Sequence, residues 1–173
     1  MTQKRLSIGV VAPGRAIDAY IQDQVSALAT ETYGDERLEL IFHPQCFLRS
    51  GHFAGPDAAR AEAFVEMAND PELDAVWFAR GGYGSCRLLD IAFEGLDHSA
   101  RRKTFLGYSD TGSLLAPLYR DSIGTVAHGP MPADITRPGG EAAILRALDY
   151  LLRRDDSNGL EPSTRAPGKY AAF

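Results

Sequence analysis

The chain has 173 residues, with 18 Lys and Arg against 23 Asp and Glu, which gives a formal net charge of −5 at pH 7. Hydrophobic residues make up 45% and charged residues 24% of the sequence, values that exclude a disordered chain and fit one compact domain with its own core. The acidic balance argues against nucleic acid or an anionic membrane surface as a partner, and no apolar run approaches the ~20 residues of a membrane span.

Strand and helix patterns alternate in the first part of the chain. Leu6–Val11 is a short apolar, β-branched run that predicts a buried strand, and Leu38–Phe42 predicts a second one. Between them, a helix is predicted from Asp18 to a stop at Gly34. After a loop, the pair Pro56-Asp57 begins a second helix, in which Asp57 can cap the N-terminus.

The alternation continues to the end of the predicted domain. Strands are predicted over Asp74–Ala79, Thr104–Tyr108 and Thr125–Ala127, and helices from Asp110 to about Arg120 and from Gly140 to about Arg154. The strands are nearly continuous apolar runs, which is typical of strands covered on both faces. The sequence therefore predicts an α/β fold with a doubly wound, mainly parallel sheet.

Two segments are predicted along the chain. Residues 1–154 are expected to form the α/β domain. Residues 155–173 are polar, contain two glycines and two prolines within a short span, and are interpreted as a linker. Because this segment closes on the apolar run Tyr170–Phe173, we expect the linker to lead toward a further, C-terminal domain outside this chain.

The turn after the fourth strand is the first candidate site, since ligands of doubly wound folds bind outside the carboxyl ends of the strands. Gly107-Tyr108-Ser109, between an apolar strand and an apolar helix, has the layout of a nucleophile elbow. The backbone N–H of Asp110 would lie at the helix N-terminus, where it can donate to an oxyanion. The glycine usual two positions after the serine is replaced by Thr111. Alternatively, Ser109 or Asp110 only caps the helix.

The turn after the third strand, Arg80-Gly81-Gly82-Tyr83-Gly84-Ser85, is the second candidate. Three glycines in four positions allow successive backbone N–H groups to form a concavity that binds a phosphate, a carboxylate or an oxyanion. Arg80 can pair with a substrate carboxylate, or it can form an ordinary surface salt bridge. A non-catalytic phosphate- or nucleotide-binding module therefore remains an alternative, in which Ser109 is only a cap.

A serine nucleophile needs a base, usually a histidine oriented by a carboxylate. Of the four histidines, His43 and His52 flank the long loop and His98 lies in the polar connection before the fourth strand, whereas His128 follows the fifth strand at the correct edge of the sheet. The segment His128-Gly129-Pro130-Met131 is typical of a backbone-shaping turn, which favours a structural role for this histidine. The histidines lack metal-type spacing and the two cysteines are too few for a disulfide framework or a zinc site, so neither a metal nor another cofactor is expected.

Three segments together resemble one known family. They are Ala79–Ser85 (ARGGYGS), Leu106–Asp110 (LGYSD) and His128–Met131 (HGPM), with support from Ile8–Pro13 and Phe53–Arg60. In this combination the sequence resembles the LD-carboxypeptidases, a family that includes the microcin C self-immunity peptidases. The joint occurrence of the first two segments is far more specific than either alone, and it favours the nucleophile interpretation over the cap.

The resemblance implies a flavodoxin-like α/β sandwich, akin to class I glutamine amidotransferase domains. In the family this domain carries the serine, and a C-terminal domain supplies the Glu and His of a Ser-Glu-His triad. The implied activity is that of a serine carboxypeptidase that cleaves an L,D-peptide bond, typically releasing D-alanine from a murein tetrapeptide in the cytoplasm during cell-wall recycling. The immunity branch cleaves a peptidyl-nucleotide instead. The resemblance also allows a homodimer.

Carried over by position, the resemblance implies a role for each of six residues. Ser109 is the nucleophile, and the backbone N–H groups of Asp110 and Gly82 form the oxyanion hole. Arg80, Gly81 and Tyr83 are expected to contact the peptide substrate. Because the Glu and His of the triad have no position in this sequence, the isolated chain is expected to be inactive.

Overall fold

The computed structural model describes residues 5–153. Five strands form a single sheet in the order β2-β1-β3-β4-β5, and every neighbouring pair is parallel. The strands are β1 (Leu6–Val11), β2 (Leu38–Phe42), β3 (Ala75–Phe78), β4 (Thr104–Gly107) and β5 (Thr125–His128). This is the flavodoxin-like strand order, so the predicted doubly wound sheet is confirmed. The linker predicted over residues 155–173 lies outside the described residues.

Helices connect the strands. The α-helices are α1 (Ala19–Tyr33), α2 (Asp57–Asn69), α3 (Leu89–Ala92), α4 (Gly112–Arg120) and α5 (Gly140–Arg153). Short 3₁₀ helices occur at Pro44–Phe47, Ser85–Leu88, Phe93–Gly95, Ala100–Arg102, Ser109–Thr111 and Pro132–Thr136. Three of these, at Ser85, Ser109 and Pro132, follow the carboxyl ends of β3, β4 and β5, so the site edge of the sheet is built from tight turns.

The two faces of the sheet carry separate cores. On one face, Trp77 of β3 belongs to a buried cluster with residues of α1 and α5, such as Val25 and Leu148. On the other face, Phe78 packs in a cluster with Phe64 of α2 and residues of α4. All four residues of β3 are buried, as expected for the central strand of a sheet covered on both sides.

The start of α2 differs from the prediction. Asp57 is the first helical residue, Pro56 occupies the N-cap position, and no side chain caps the helix. The Asp57 carboxylate forms ion pairs with Arg60 and Arg87 instead, and the hydrogen bond from Arg87 is the main cause of the lowered pKa of Asp57. The Asp57 carboxylate, which the sequence suggested as a helix cap, is therefore bound by two guanidinium groups instead.

Candidate active site

Ser109 occupies a strained turn at the carboxyl end of β4. Its φ angle is 63°, a left-handed conformation that costs a residue other than glycine roughly 1–2 kcal/mol. The serine is exposed, and its hydroxyl forms no hydrogen bond with any group of residues 5–153. The N-cap of α4 is Thr111, without a side-chain cap bond, and α4 itself begins at Gly112 rather than at Asp110. Nothing in this geometry supports the interpretation that Ser109 or Asp110 serves as a helix cap.

The glycine-rich turn after β3 lies directly against the serine. A methyl group on Gly81 would stand 3.0 Å from both the Cβ and the Oγ of Ser109, closer than side chains normally pack, so the absence of a side chain at this position favours the close approach of the two turns. Gly82 has a φ of 123°, a value that other residues rarely adopt. The two turns that the sequence singled out therefore meet at one point of the sheet edge.

A hydrogen-bond network fastens the two turns together. The carboxylate of Asp110 accepts from the backbone N–H of Ser85 at 2.9 Å and from the Ser85 hydroxyl at 2.7 Å. The Ser113 hydroxyl donates to the Asp110 carbonyl at 2.8 Å. Ser85 is fully buried, so this connection is shielded from water. The sequence pointed to the backbone of Asp110 and missed this role of its side chain.

A buried arginine supports the turns from beneath. Arg60 of α2 has no exposed surface, and its guanidinium donates to the carbonyls of Pro13, Gly84 (2.9 Å) and Gly55 (3.3 Å) as well as to Asp57. One side chain thus joins the turn after β1, the loop before α2 and the glycine-rich turn. The only sequence signal for it is its place at the end of Phe53–Arg60, one of the segments that carried the resemblance.

A cleft of about 300 Å³ opens beside the serine. Its lining includes Ser109, Gly81 and Gly82, together with the side chains of Arg15, Arg80 and Arg137. The predicted residues Arg80, Gly81 and Gly82 are therefore brought together with Ser109. Tyr83 is more than half exposed and is not part of this lining; its ring lies 6.1 Å from that of Phe53.

A second polar network, which no local sequence pattern indicates, also lines the cleft. The Tyr108 hydroxyl donates to Asp134 Oδ1 at 2.8 Å, and Arg137 Nη1 donates to the Tyr108 oxygen at 2.8 Å. Asp134 Oδ2 accepts from the Met131 N–H at 2.8 Å. Burial, with the neighbouring Asp134, raises the pKa of Tyr108, so this hydroxyl stays protonated at neutral pH.

None of the four histidines, all of them within residues 5–153, hydrogen-bonds to Ser109. His43 pairs with Glu66 at 3.2 Å, and the His128 ring packs edge-on against Tyr108, with the centroids 5.9 Å apart. The turn after His128 is fixed by Trp77, whose indole N–H donates to the Pro130 carbonyl at 2.7 Å. Within residues 5–153, Ser109 therefore has no histidine hydrogen-bonded to it that could act as its base.

Two kinds of feature are absent from residues 5–153. No three side chains of His, Cys, Asp or Glu converge to hold a metal ion. No helix in this part of the chain combines the length and the apolar composition that crossing a membrane requires.

The structure as a whole defines a flavodoxin-like domain with an exposed serine on a left-handed turn at the carboxyl edge of its sheet. The family model described as the LD-carboxypeptidase N-terminal domain matches residues 8–129, and the chain belongs to this family. The resemblance stated from the sequence is thereby confirmed, and the protein is a member of a peptidase family.

Three known proteins illustrate the relationship. The probable murein peptide carboxypeptidase of Bacillus subtilis (strain 168) is 32% identical over 128 residues, which is 72% of this chain and 38% of the relative. The crystal structure of muramoyltetrapeptide carboxypeptidase from Oxalobacter formigenes matches with 29% identity and a TM-score of 0.63, over 82% of this chain and 47% of the other.

The microcin C7 self-immunity protein MccF, solved with aspartyl sulfamoyl adenosine, matches with 20% identity and a TM-score of 0.70 over 89% of this chain and 46% of the other. A likeness at this identity shows the shared fold. The chain spans less than half the length of each of these three relatives.

Proposed function

We propose that this chain is the nucleophile-bearing domain of a serine carboxypeptidase that cleaves the bond between an L-configured centre and a C-terminal D-amino acid. The substrate class is the murein tetrapeptide, which loses its terminal D-alanine in the cytoplasm during cell-wall recycling. The observation that carries the proposal is Ser109, whose hydroxyl is free and exposed on a strained turn against the backbone of Gly81. The carboxypeptidase relatives support the same activity.

In the proposed reaction, Ser109 Oγ attacks the scissile carbonyl carbon and loses its proton to a base. The carbonyl oxygen becomes an oxyanion that the backbone N–H groups of Asp110 and Gly82 stabilise. Collapse of the tetrahedral intermediate breaks the C–N bond, and the D-amino acid leaves with a proton on its nitrogen. Water then hydrolyses the acyl-enzyme and restores the serine.

The hydrogen bonds around the turns support the proposed oxyanion hole. The Asp110 carboxylate is held by Ser85, and this fixes the orientation of the peptide unit that carries the Asp110 N–H. The glycine-rich turn is held by the bond from Arg60 to the Gly84 carbonyl. Donors that are fixed before the reaction stabilise a developing charge without the cost of reorganisation.

The base is proposed to come from polypeptide that corresponds to the part of the relatives this chain does not span. The support is the free Ser109 hydroxyl, which has no imidazole partner among the described residues. Arg80 is proposed to contact the substrate, because it is half-buried in the cleft and forms no ion pair within residues 5–153, unlike an ordinary surface salt bridge. Tyr83 would contact the peptide only from outside the cleft.

The test is release of D-alanine from an L,D-tetrapeptide by the natural gene product. Ser109→Ala should lower kcat by about 10⁴–10⁶, as removal of a catalytic serine does in triad enzymes. The matched control is Ser122→Ala, because Ser122 is the other exposed serine of residues 5–153 with a positive φ (53°) and lies outside the cleft. Residues 1–173 alone should release a negligible amount.

Two outcomes would contradict the proposal. Unchanged turnover in Ser109→Ala would remove the serine from the chemistry. Full turnover by residues 1–173 that Ser109→Ala abolishes would show that the base lies within this chain.

A second candidate is cleavage of a peptidyl-nucleotide. The observation that favours it is the same arginine-lined cleft, since guanidinium groups bind phosphate as well as carboxylate. Hydrolysis of a peptidyl-nucleotide by the natural gene product, with no release of D-alanine from the tetrapeptide, would select this candidate.

A further inference from the structure

The cleft beside Ser109 holds three arginines from three separate turns. Arg15 follows β1, Arg80 follows β3, and Arg137 follows the 3₁₀ helix Pro132–Thr136. We infer that these three guanidinium groups form the subsite that binds the C-terminal carboxylate of the peptide, and that they thereby supply the selection for a free C-terminus that any carboxypeptidase requires. The inference rests on the proposed function and names the group of the substrate that its site recognises.

Two of the three guanidinium groups are unpaired. Neither Arg15 nor Arg80 lies within 4.0 Å of a carboxylate of residues 5–153, and neither forms a hydrogen bond there. The lining of the cleft contains a single carboxylate, that of Asp134. A cleft of this size with three guanidinium groups and one carboxylate attracts an anion, although the whole chain carries a formal charge of −5.

The aliphatic stem of Arg15 is held in place by packing and not by an ion pair. Its Cγ and Cδ atoms cross the face of Gly82, where a methyl group would stand only 2.5 Å from each of them. The aliphatic stem therefore lies on the glycine-rich turn, and the charged end remains available to a ligand. The same glycine that is proposed to donate its N–H to the oxyanion also makes room for the arginine stem.

Arg137 is held in the lining of the cleft by hydrogen bonds. Its Nη1 donates to the Tyr108 oxygen at 2.8 Å and lies 3.1 Å from Asp134 Oδ1. A guanidinium has five N–H donors in a planar fork, so these two contacts leave donors for a carboxylate. Both oxygens of Asp134 already accept hydrogen bonds, one from Tyr108 and one from the Met131 N–H. Asp134 thus orients Arg137 and is not free to bind a substrate cation.

The position of the subsite beside Ser109 indicates which anion it binds. In a carboxypeptidase, the terminal carboxylate is always one residue away from the carbonyl that the nucleophile attacks. A cleft of about 300 Å³ is at the small end of ligand sites, a size that suits a short peptide segment. A carboxylate subsite at this place would therefore select for the free end of a chain.

The experiment measures binding without hydrolysis, using the 173-residue chain with Ser109→Ala. The probes are N-acetyl-L-alanyl-D-alanine and the same dipeptide with a C-terminal carboxamide, titrated by calorimetry. We expect the free acid to bind at least about tenfold more tightly than the amide, a difference of about 1.4 kcal/mol. Arg15→Gln, Arg80→Gln and Arg137→Gln should each remove several-fold of that preference and leave the affinity for the amide unchanged.

The matched control is Arg120→Gln, since Arg120 is an exposed arginine that pairs with Asp121 outside the cleft. It should leave both affinities unchanged, and circular dichroism should show every variant folded. Equal affinity for acid and amide, no binding of either at 10 mM, or an acid preference that survives all three substitutions would overturn the inference. Adenosine monophosphate that displaces the acid and binds more tightly would reassign the subsite to phosphate and also overturn it.

Failure of this inference is distinguishable from failure of the proposed function. An acid preference lost in the arginine variants, together with D-alanine release that does not depend on Ser109, leaves the subsite and removes the serine mechanism. Ser109-dependent release with equal affinity for acid and amide removes the subsite alone.

Discussion

The two edges of the sheet use charge in opposite ways. At the amino edge, before β4, Lys103 is 2% exposed, and its ammonium donates to the carbonyls of Leu73 (2.6 Å) and Asp70. At the carboxyl edge, Arg15 and Arg80 line an open cleft and have no partner among residues 5–153. Charge at the amino edge stabilises the fold, whereas part of the charge at the carboxyl edge is left for a ligand.

The carboxyl edge also contains charge that is fully used by the fold. Arg60 is buried directly beneath the turns and satisfies three backbone carbonyls. Strained conformations such as that of Ser109 persist only where the surrounding structure over-determines them. An unpaired, exposed arginine and a paired, buried one therefore lie at the same edge of the sheet and serve different purposes. Substitutions can therefore separate the two kinds of arginine.

The largest effect on stability is expected from Arg60→Met. The substitution leaves the carbonyls of Pro13, Gly55 and Gly84 without their donor and Asp57 without one of its two partners. Removing one partner of a buried charged network costs about 3–5 kcal/mol. Urea unfolding followed by circular dichroism should show a loss in the free energy of unfolding of this size.

Two further variants sharpen the Arg60 measurement. Arg60→Lys keeps the charge without the planar fork and should fall between the wild type and Arg60→Met. Arg49→Met removes an exposed arginine that pairs with Asp18, and it should cost less than about 1 kcal/mol. A loss below about 1 kcal/mol in Arg60→Met would mean that the turns do not depend on this side chain.

Lys103→Met is expected to have the next largest effect and to be confined to the amino edge. The methionine fills the space of the lysine stem but leaves the carbonyls of Asp70 and Leu73 without a side-chain donor. An unsatisfied buried acceptor costs about 1–3 kcal/mol. The free energy of unfolding should fall by that amount, while binding of the acetylated dipeptide to the folded protein stays unchanged. A change in dipeptide affinity would show that the two edges are coupled.

Ser85→Ala should lower the free energy of unfolding by a smaller amount and should also lower the activity of the site. The Asp110 carboxylate keeps the Ser85 N–H but loses the hydroxyl at 2.7 Å, which costs about 1 kcal/mol. Because Asp110 then fixes its peptide unit less firmly, D-alanine release by the natural gene product should show a lower kcat with a nearly unchanged KM. The control is Thr30→Val, which removes a hydroxyl that donates to the Asp35 carboxylate at the same 2.7 Å but outside the cleft. An equal fall in kcat in both variants would exclude a specific role for the Ser85 hydroxyl.

The sheet and the serine turn could be predicted from the sequence because both depend on residues that are neighbours along the chain. Apolar runs such as Leu6–Val11 and the Gly107-Tyr108-Ser109 turn are recognisable from neighbouring residues alone. The bonds from Arg60 to Pro13, from Ser85 to Asp110 and from Arg137 to Tyr108 join residues 47, 25 and 29 positions apart. Such contacts depend on which turns the sheet brings together, and no local pattern encodes that.

The prediction for Asp57 failed for the same reason. Its position before an apolar helix favoured a cap, but the folded chain brings Arg87, 30 residues further along, to its carboxylate. The opposite case is Arg80, for which the sequence left a surface salt bridge and a substrate contact open. The fold brings no carboxylate to it within residues 5–153.

Arg80→Gln should have the smallest effect on stability. It tests most directly whether the unpaired arginines of the cleft serve a ligand rather than the fold. A charged side chain without a partner contributes little to folding, so the free energy of unfolding should change by no more than about 0.5 kcal/mol. The same substitution should weaken binding of the free acid several-fold, because Arg80 has no carboxylate partner within residues 5–153 and the ligand would supply one. Urea unfolding and calorimetry on one preparation give both numbers. A destabilisation of several kcal/mol would place Arg80 with Arg60 among the arginines that hold the fold together, and the distinction between the two kinds would fail.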